Sequence, residues 1–261
     1  MQYASLHHQR FYEHSGYSNF GYWEAGTRTG RQAADNLVDR LIDKVAPAPA
    51  AILDVACGQG GTTARLCRRF PRAQVTAINA SERQLTAARP AAPRARFARM
   101  DAARLELPDA GFDLVVCVEA AFHFDTREAF LREALRVLRP GGWLVMTDAL
   151  SRLPRLDALL RRLRLPVLVP AGNHEQLDGY PALLARAGYA DVIVEEARAA
   201  TFEPYARAFL RSCARNLADR ALWPRIFFDP IQLPLLAPWL AFHHLWLAAY
   251  PLVWARRPET P

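Results

Sequence analysis

The chain has 261 residues, of which 51% are hydrophobic and 23% are charged, and its formal net charge is +7. A chain of this length and composition can bury a substantial core, which excludes fibrous, low-complexity and disordered classes. The positive charge comes almost entirely from arginine, since Lys44 is the only lysine, and the arginines are dispersed through apolar helical segments. Because there is no basic run with interleaved aromatic residues, no nucleic-acid partner is expected.

The residues at the amino terminus predict a helical layer. An aromatic opening is followed by apolar residues at steps of three and four positions, which are Ala33, Ala34, Leu37, Leu41 and Val45. This spacing is typical of an amphipathic helix. Prolines at positions 47 and 49 then interrupt the pattern. We interpret residues 1–46 as an N-terminal helical lid.

From residue 51 onward, short apolar strands alternate with helices. Strands are predicted at 51–56, 74–79, 96–100, 112–118 and 143–148, helices at 62–70, 82–89 and 127–138, and a turn at Pro140-Gly141-Gly142. Such alternation requires crossover connections and places helices on both faces of a parallel sheet. The predicted fold is α/β, with a doubly wound, mostly parallel, Rossmann-like sheet of seven strands. Its cofactor-binding core is expected over residues 47–200.

The last third of the chain has a less regular pattern. Helices are predicted at 157–164 and 176–188 and a strand at 191–196. Residues 201–249 are helical and proline-rich, and we expect this insertion to shape the acceptor pocket. Residues 250–261 are predicted to contain a closing strand, at 250–256, and a tail.

The glycine-rich turn LDVACGQGGTT, residues 53–63, is the most informative segment. Such a turn between a strand and a helix lets a ligand approach the backbone and directs the helix N-terminus at an anionic group. A dinucleotide fingerprint requires glycine where Thr63 stands, and the lysine of a phosphate-binding P-loop is absent. Asp54, at the strand end, can accept a hydrogen bond from an ammonium group. The turn therefore predicts a ligand with an amino-acid part.

Four segments together resemble the class I S-adenosylmethionine-dependent methyltransferases, and more closely their small-molecule branch, which includes sterol- and natural-product-type enzymes. These segments are LDVACGQGGTT, VTAINASERQL, MDAARLELPDAGFDLVVCVEAAFHF and ALRVLRPGGWLVMTD, in family order and spacing. The upstream SNFGYW resembles the aromatic segment that folds an N-terminal helix over the cofactor. The resemblance covers residues 19–148 and implies S-adenosyl-L-methionine as the cofactor.

The resemblance also implies which residues contact the cofactor. Around its methionine part it places Asp54, Ala56, Gly58 and Gly60. Around the ribose it places Asn79, Ala80, Ser81 and Gln84. Around the adenine it places Asp101 and Ala102, with Glu119 closing over the ligand. Ala56 replaces the usual first glycine of the turn, and Asn79 replaces an acidic residue common in the class. No His, Asp or Cys cluster has metal spacing, so no metal is expected.

Two kinds of side chain are candidates for the chemistry. His123 follows the fourth strand, where ligands of open α/β sheets bind, and histidine ordinarily titrates near neutrality, which suits a general base. The alternative is that His123 packs or caps the following helix. Aromatic residues near the amino terminus form either a lid that favours a sulfonium cation or a structural staple: Tyr12, Tyr17, Phe20, Tyr22 and Trp23. Tyr22 is the first choice for the cofactor.

The expected function is transfer of a methyl group to a small, largely apolar, secondary-metabolite-like acceptor, at a hydroxyl oxygen with His123 as base. Carbon methylation of an isoprenoid or alkene, with Glu119 taking the proton, is an alternative, and so is methylation of a small amine. A different class of protein also remains open, namely a non-catalytic or membrane-associated protein with a retained cofactor-binding fold.

An uncharged stretch, residues 230–255, is long enough to cross a bilayer by its length alone. The closing strand and three prolines leave a remainder too short and too interrupted for a span, so no integral membrane segment is expected. Residues 231–247 are interpreted as a wall over a hydrophobic acceptor or as a contact in a homodimer. Neither a secretory signal nor paired cysteines are apparent, which favours a reduced, cytoplasmic protein whose cysteines are buried apolar side chains.

Overall fold

A computed structural model of the chain describes residues 5–163, 169–170, 173–227, 229 and 244–259. The helices are α1 (Leu6–Phe11), α2 (Gly30–Ile42), α3 (Gly61–Arg69), α4 (Glu82–Ala88), α5 (Arg127–Val137), α6 (Pro154–Arg162), α7 (Tyr180–Arg186), α8 (Phe202–Ala218) and α9 (Trp223–Phe227). The strands are β1 (Ala51–Val55), β2 (Gln74–Asn79), β3 (Arg96–Arg99), β4 (Phe112–Cys117), β5 (Leu138–Thr147), β6 (Leu150–Ser151), β7 (Ala190–Glu196), β8 (Leu247–Ala249) and β9 (Pro251–Arg256).

Seven of these strands form one sheet in the order β3-β2-β1-β4-β5-β9-β7. The pairs from β3 to β5 are parallel, and β9 runs antiparallel to both β5 and β7. The predicted doubly wound, mostly parallel sheet of seven strands is therefore confirmed. The closing strand pairs beside the strand predicted at 191–196, as expected.

The central strands bring their carboxyl ends to one edge of the sheet. Val55 at the end of β1 pairs with Ile78 of β2 and with Cys117 of β4. Strands β1 and β4 are apolar and buried almost throughout, as expected for parallel strands that are covered on both faces. The residues that follow these strands consequently meet above one edge, where a ligand can reach them together.

The N-terminal residues form two helices that cover the sheet and contact a helix far along the chain. Helix α2 begins at Thr29, whose hydroxyl accepts from the Gln32 amide at 3.1 Å, and its apolar stripe is buried. Val45, predicted as part of this helix, lies beyond its end. The Phe11 ring packs edge-on against Phe209 of α8, with centroids 5.1 Å apart. The predicted lid and the predicted insertion are thus in direct contact.

Ion pairs between two helices account for part of the arginine excess. Three acidic residues at steps of four, namely Asp35 and Asp39 on α2 and Asp43 just after its end, pair with Arg65, Arg68 and Arg69 of α3. Exposed pairs of this kind contribute little stability each. These arginines serve contacts between helices within the fold, which agrees with the absence of a basic run in the sequence.

Three elements differ in detail from the sequence-based expectation. The turn predicted at Pro140-Gly141-Gly142 lies inside β5, as a bulge at which the pairing register with β4 shifts. The helix predicted at 157–164 begins earlier, as α6. The helix predicted at 176–188 is divided into a 3-10 turn, Leu177–Gly179, followed by α7. At the bulge, the Gly141 amide donates to the Arg257 carbonyl.

The predicted apolar wall at 231–247 lies outside the described residues except for its last four positions. Within the described residues, no helix combines the length and apolar character needed to cross a bilayer. All four cysteines are buried and form no disulfide, as expected. Near the carboxyl terminus, β8 pairs with β6 as a separate two-stranded sheet. This small sheet leads directly into β9.

Candidate active site

A cavity of about 550 Å³ lies at the carboxyl ends of the parallel strands. Its first side consists of residues that follow β1, β2 and β3, including Ala56, Gly58, Asn79, Ala80, Gln84, Asp101 and Ala102. Its second side includes Glu119, Phe122, His123 and Phe124 after β4, Ala149 after β5, and Trp246 just before β8. Residues 16–20 form a wall along it. Because strand order places β1 beside β4, the two sides meet at the middle of the sheet.

The glycine-rich turn after β1 has an unusual backbone at three positions. Ala56, Gly58 and Gly60 all have positive φ angles, of 58°, 55° and 87°. A Cβ on Gly58 would meet nothing within 4 Å, whereas one on Gly60 would lie 3.0 Å from the Ala88 carbonyl oxygen. Gly58 therefore leaves open space on the cavity side, and Gly60 allows the turn to pack on α4. Ala56 carries its methyl group in a conformation that favours glycine.

The carboxyl group of Asp54 lies beneath this turn and does not line the cavity. The side chain is buried, and Oδ2 accepts from the Thr63 hydroxyl at 2.6 Å. Burial raises the pKa of Asp54 to about 7, although the hydrogen bond from Thr63 acts in the opposite direction. A nearby ammonium group would favour the charged form of this carboxyl. Asp54 thus supports the turn from below, at the position where an amino-acid ligand is predicted.

The residues after β2 and β3 divide into cavity-lining and supporting groups. Asn79 is buried at the cavity, and its Oδ1 accepts from the Ser81 amide at 3.0 Å. The Ser81 hydroxyl caps α4 by accepting from the Gln84 amide and does not line the cavity. Asp101 does line the cavity, and its Oδ1 accepts from the Ala103 amide at 2.9 Å. Ser81 and Gly60 are therefore placed to support cavity-lining neighbours.

Residues 16–20 cross the glycine-rich turn at close range. A Cβ on Gly16 would lie 2.6 Å from the Gln59 carbonyl oxygen, and one on Gly61 would lie 2.7 Å from Cδ1 of Tyr17. The Tyr17 hydroxyl donates to Asp35 of α2 at 2.6 Å. The absence of side chains at both glycines allows the N-terminal segment to lie directly on the turn. Tyr17 and Phe20 of the aromatic segment thus line the cavity.

Tyr22, the first choice for the cofactor, does not line the cavity. The chain turns away at Gly21, which has a φ of 70° and where a Cβ would lie 2.5 Å from that of Ala33. The Tyr22 amide then donates to the Ala33 carbonyl. The Arg40 guanidinium carbon lies over the Tyr22 ring, 4.5 Å from the ring centroid. Phe20, two positions earlier, lines the cavity instead. The choice of Tyr22 is therefore corrected by this turn.

Glu119 occupies the middle of the cavity with a left-handed backbone, at a φ of 51°. Its amide donates to the Thr147 hydroxyl at 3.0 Å. Its carboxyl oxygen Oε1 accepts from the Phe20 amide at 2.6 Å and from the Tyr250 hydroxyl at 2.5 Å. Burial raises the pKa of Glu119 to about 8, and these two hydrogen bonds act to lower it. A carboxyl group that changes charge near neutral pH therefore lies between the two sides of the cavity.

His123 lies at the exposed rim of the cavity. It ends the 3-10 turn Ala121–His123, and its ring centroid lies 3.9 Å from that of Phe122. The following residues are held by Asn173, whose carboxamide nitrogen donates to the Phe124 carbonyl at 2.6 Å. This placement gives the imidazole access both to the cavity and to water.

A buried charge pair lies behind the 3-10 turn Ala121–His123 and the residues that follow it. Arg127, the first residue of α5, donates from Nε to the Asp148 carboxylate at 2.5 Å and from Nη1 to the Asn173 carbonyl at 2.8 Å. The same Asp148 oxygen accepts from the Tyr180 hydroxyl at 2.7 Å. Arg127 is 2% exposed and Asp148 is fully buried. The second side of the cavity therefore rests on a hydrogen-bonded ion pair inside the core.

Sequence reasoning missed several cavity-lining residues. Met100 and Phe122 lie within a recognised motif but have no polar side chain that would mark them as site residues. Trp246 belongs to the apolar stretch that was predicted as a wall, and it does line the cavity. The sequence signal that could identify Trp246 was its position as an aromatic residue within an uncharged stretch. Across the part of the chain that the structure describes, no group of three His, Cys, Asp or Glu side chains is placed to hold a metal ion.

Comparison with known proteins identifies related sequences. Residues 53–146 match a family described as a methyltransferase domain. An O-methyltransferase from Penicillium expansum is 34% identical over 196 residues, which cover 70% of this chain and 68% of that protein. The 27-O-demethylrifamycin SV methyltransferase of Amycolatopsis mediterranei is 37% identical over 138 residues, half of each chain. Matches to the first three curated relatives span between half and about two thirds of their length.

A comparison of structures finds the same architecture. The [4+2]-cyclase SpnF superposes with a TM-score of 0.65 and 26% identity, covering 91% of this chain and 86% of SpnF. Its similarity extends beyond the methyltransferase-domain match, over most of the chain.

Proposed function

Since the chain belongs to the small-molecule branch of the class I S-adenosylmethionine-dependent methyltransferases, we propose that it methylates a small, largely apolar acceptor at a hydroxyl oxygen. The observation that carries this proposal is the two-sided cavity. Residues of the family motifs line its first side, and aromatic side chains with one histidine line its second. One cavity of this kind can hold a cofactor and an acceptor in contact.

The first side fits the cofactor. Gly58 leaves open space toward the cavity, and Asn79, Gln84 and Asp101 present polar groups suited to a nucleoside. Asp54, which has no basic partner among the described residues, supports the turn where an ammonium group is expected. When bound, S-adenosylmethionine supplies an electrophilic methyl group on a sulfonium. The task of the protein is then to align the acceptor and to remove its proton.

The second side fits an apolar acceptor. Phe122, Phe124 and Trp246 provide a mainly aromatic surface. His123, the one histidine among the described lining residues, is proposed as the general base. Its imidazole would accept the hydroxyl proton of the acceptor as the new oxygen–carbon bond forms. Because His123 is exposed at the rim, it can pass this proton on to water.

Cofactor binding tests the first half of the proposal. Isothermal titration calorimetry with S-adenosylhomocysteine should show binding to the wild-type protein, and Asp54→Ala should weaken it. If neither S-adenosylmethionine nor S-adenosylhomocysteine binds, the proposal is wrong. An Asp54→Ala protein with unchanged affinity would remove Asp54 from the site.

Methyl transfer to a panel of phenols and apolar secondary alcohols tests the second half. His123→Ala should lower turnover while S-adenosylhomocysteine affinity is kept. His244→Ala serves as the control, because His244 is exposed and faces Arg198. Equal turnover in both variants would exclude His123 as the base. A product methylated on carbon would favour Glu119 as the proton acceptor. A product methylated on nitrogen would indicate an amine acceptor, for which a general base such as His123 is less necessary.

The similarity to the [4+2]-cyclase SpnF supports a second candidate, a [4+2] cyclisation of an apolar substrate in the same cavity without methyl transfer. This candidate keeps the cofactor-binding fold but does not consume the cofactor. Incubation with S-adenosylmethionine and the acceptor panel separates the two candidates, because only methyl transfer produces S-adenosylhomocysteine.

A further inference from the structure

Glu119 joins four segments that are far apart in the chain. Its amide donates to Thr147 at the end of β5, and its carboxyl group accepts from Phe20 in the N-terminal wall and from Tyr250 before β9. The Tyr250 and Thr147 hydroxyl oxygens lie 3.1 Å apart. A phenol has one proton, so the Tyr250 oxygen can accept from Thr147 while its proton goes to Glu119. Glu119, Thr147 and Tyr250 form a closed hydrogen-bonded ring, and the Phe20 amide joins it at Oε1.

Both donors converge on one carboxyl oxygen. Oε1 accepts from the Phe20 amide and from the Tyr250 hydroxyl, while Oε2 has no hydrogen bond to any described residue. The Glu119 backbone is left-handed, a conformation that costs a residue with a side chain about 1 kcal/mol and needs support from its surroundings. The ring of hydrogen bonds provides this support and holds the side chain in one rotamer.

The Phe20 amide is the point at which the N-terminal wall is fastened to the strand ends. Within the described residues, the other hydrogen bonds of residues 16–20 go to the N-terminal region itself. Tyr17 donates to Asp35, Ser18 pairs with His8, and the Asn19 carbonyl accepts from Tyr12. Only the Phe20–Glu119 bond reaches a residue at the end of a sheet strand. This bond therefore ties the wall to the strand ends, in addition to the packing of Gly16 and Tyr17 on the glycine-rich turn.

We infer that Tyr250 is a positioning residue that holds the Glu119 carboxyl against the Phe20 amide and so fixes residues 16–20 as a wall of the cofactor cavity. This inference rests on the proposed function, since it assigns the wall to cofactor binding. Without the Tyr250 hydroxyl, Oε1 keeps one donor and the Glu119 side chain regains rotamer freedom. The wall then opens more often, and the cofactor dissociates more easily.

The substitution Tyr250→Phe isolates the hydroxyl. The ring is fully buried and lies 5.9 Å from the Phe20 ring, so phenylalanine preserves this packing. The backbone amide still donates to Glu196, and the backbone carbonyl still accepts from Ala197. Tyr189→Phe is the matched control, because Tyr189 is also buried and its hydroxyl donates to the Leu131 carbonyl, away from the cavity.

Two measurements on the full chain test the inference. Hydrogen–deuterium exchange of peptides that contain the Phe20 amide should be faster in Tyr250→Phe, already in the cofactor-free protein. Calorimetry should show S-adenosylhomocysteine affinity weaker by about tenfold, the loss of roughly one hydrogen bond. Tyr189→Phe should change neither quantity. A structural role alone would affect both variants similarly.

Two further variants keep the test decisive. Glu119→Gln retains a carbonyl oxygen that can accept from both donors, so slow exchange of the Phe20 peptide should persist. Thr147→Val removes the neighbouring hydroxyl, and it serves if Tyr250→Phe does not fold. The inference is overturned if Tyr250→Phe exchanges and binds as the wild type does, or if Tyr189→Phe shows the same losses. A wild-type protein that binds no S-adenosylhomocysteine refutes the proposed function instead, and the exchange measurement then still reports on the contact.

Discussion

The two sides of the cavity are built in different ways. The first side, after β1, β2 and β3, consists of tight turns, small residues and short polar side chains that lie close together in the sequence. The second side, after β4 and β5, is aromatic, and residues far along the chain complete it. Phe20 and Tyr250 reach Glu119 across separations of 99 and 131 positions. The first side therefore depends on backbone conformation, and the second on long-range packing and buried charge.

The largest expected effect concerns the buried charge behind the second side. Arg127→Met should lower the free energy of unfolding by about 3–5 kcal/mol, because it leaves the Asp148 carboxylate buried without its ionic partner. Arg132→Met, on the same helix, removes an exposed pair with Glu128 and should cost less than about 1 kcal/mol. Urea denaturation measures both losses. Equal losses would show that the second side does not depend on the buried pair.

The next effect concerns the wall where the two sides meet. Gly16→Ala should weaken S-adenosylhomocysteine binding by about tenfold or more, because the new Cβ would lie 2.6 Å from the Gln59 carbonyl oxygen and displace the wall. Gly26→Ala is the control, since Gly26 also has a positive φ but has no neighbour within 4 Å. It should lose only about 1 kcal/mol of stability and keep its affinity. Equal affinities in the two variants would contradict the close contact.

The pH dependence of stability compares one carboxyl group from each side. Burial raises the pKa of Asp54 to about 7 and that of Glu119 to about 8. A raised carboxyl pKa means that the folded protein keeps a proton that the unfolded chain releases, so stability falls as pH rises toward the folded pKa. The cofactor-free protein should therefore unfold at a lower temperature at about pH 8 than at about pH 6.5.

Single variants separate the two carboxyl groups in this pH window. Asp54→Asn and Glu119→Gln should each reduce the decrease in unfolding temperature between about pH 6.5 and about pH 8. The buried His8, whose pKa is lowered to about 4, acts in the opposite direction and only below about pH 6.5, so it does not obscure the result. A profile unchanged in both variants would show that neither carboxyl keeps a proton in the folded state.

The smallest expected effect concerns the turn on the first side. Ala56→Gly should stabilise the protein by about 0.5–1 kcal/mol, because Ala56 has a φ of 58°. Ala110→Gly provides a comparison, since Ala110 has a φ of 50° but lies in a turn that does not line the cavity. Both variants should gain stability, and only Ala56→Gly should alter S-adenosylhomocysteine affinity. A loss of stability in Ala56→Gly would show that its methyl group contributes packing that outweighs the strain.

The first side could be predicted well from the sequence. Seven of its predicted residues line the cavity, namely Ala56, Gly58, Asn79, Ala80, Gln84, Asp101 and Ala102. Asp54, Gly60 and Ser81 do not, because each supports the turn or the helix beside it. Whether a side chain lines a cavity or supports it depends on its direction within a turn, and sequence spacing does not report that direction.

The second side could be predicted only in part. Glu119 and His123 follow β4 and were identified by their position, and Trp246 belonged to an apolar stretch of the expected kind. The choice between Phe20 and Tyr22 could not be made, because the chain reverses at Gly21 under the constraint of α2. Adjacent aromatic residues in one segment look equivalent until that constraint is known.

The sequence by itself determined the order of strands and helices, the parallel sheet, the glycine-rich turn and the family. The elements, the sheet and the turn arise from local patterns of hydrophobicity and turn residues that extend over a few positions, whereas the family was indicated by the resemblance of four motifs. Only the tertiary structure decided that Phe20, Glu119, Thr147 and Tyr250 share hydrogen bonds and that Arg127 is buried on Asp148. Hydrogen-bonding partners far apart in the chain leave no periodic pattern, because their proximity depends on how the sheet and its covering helices pack.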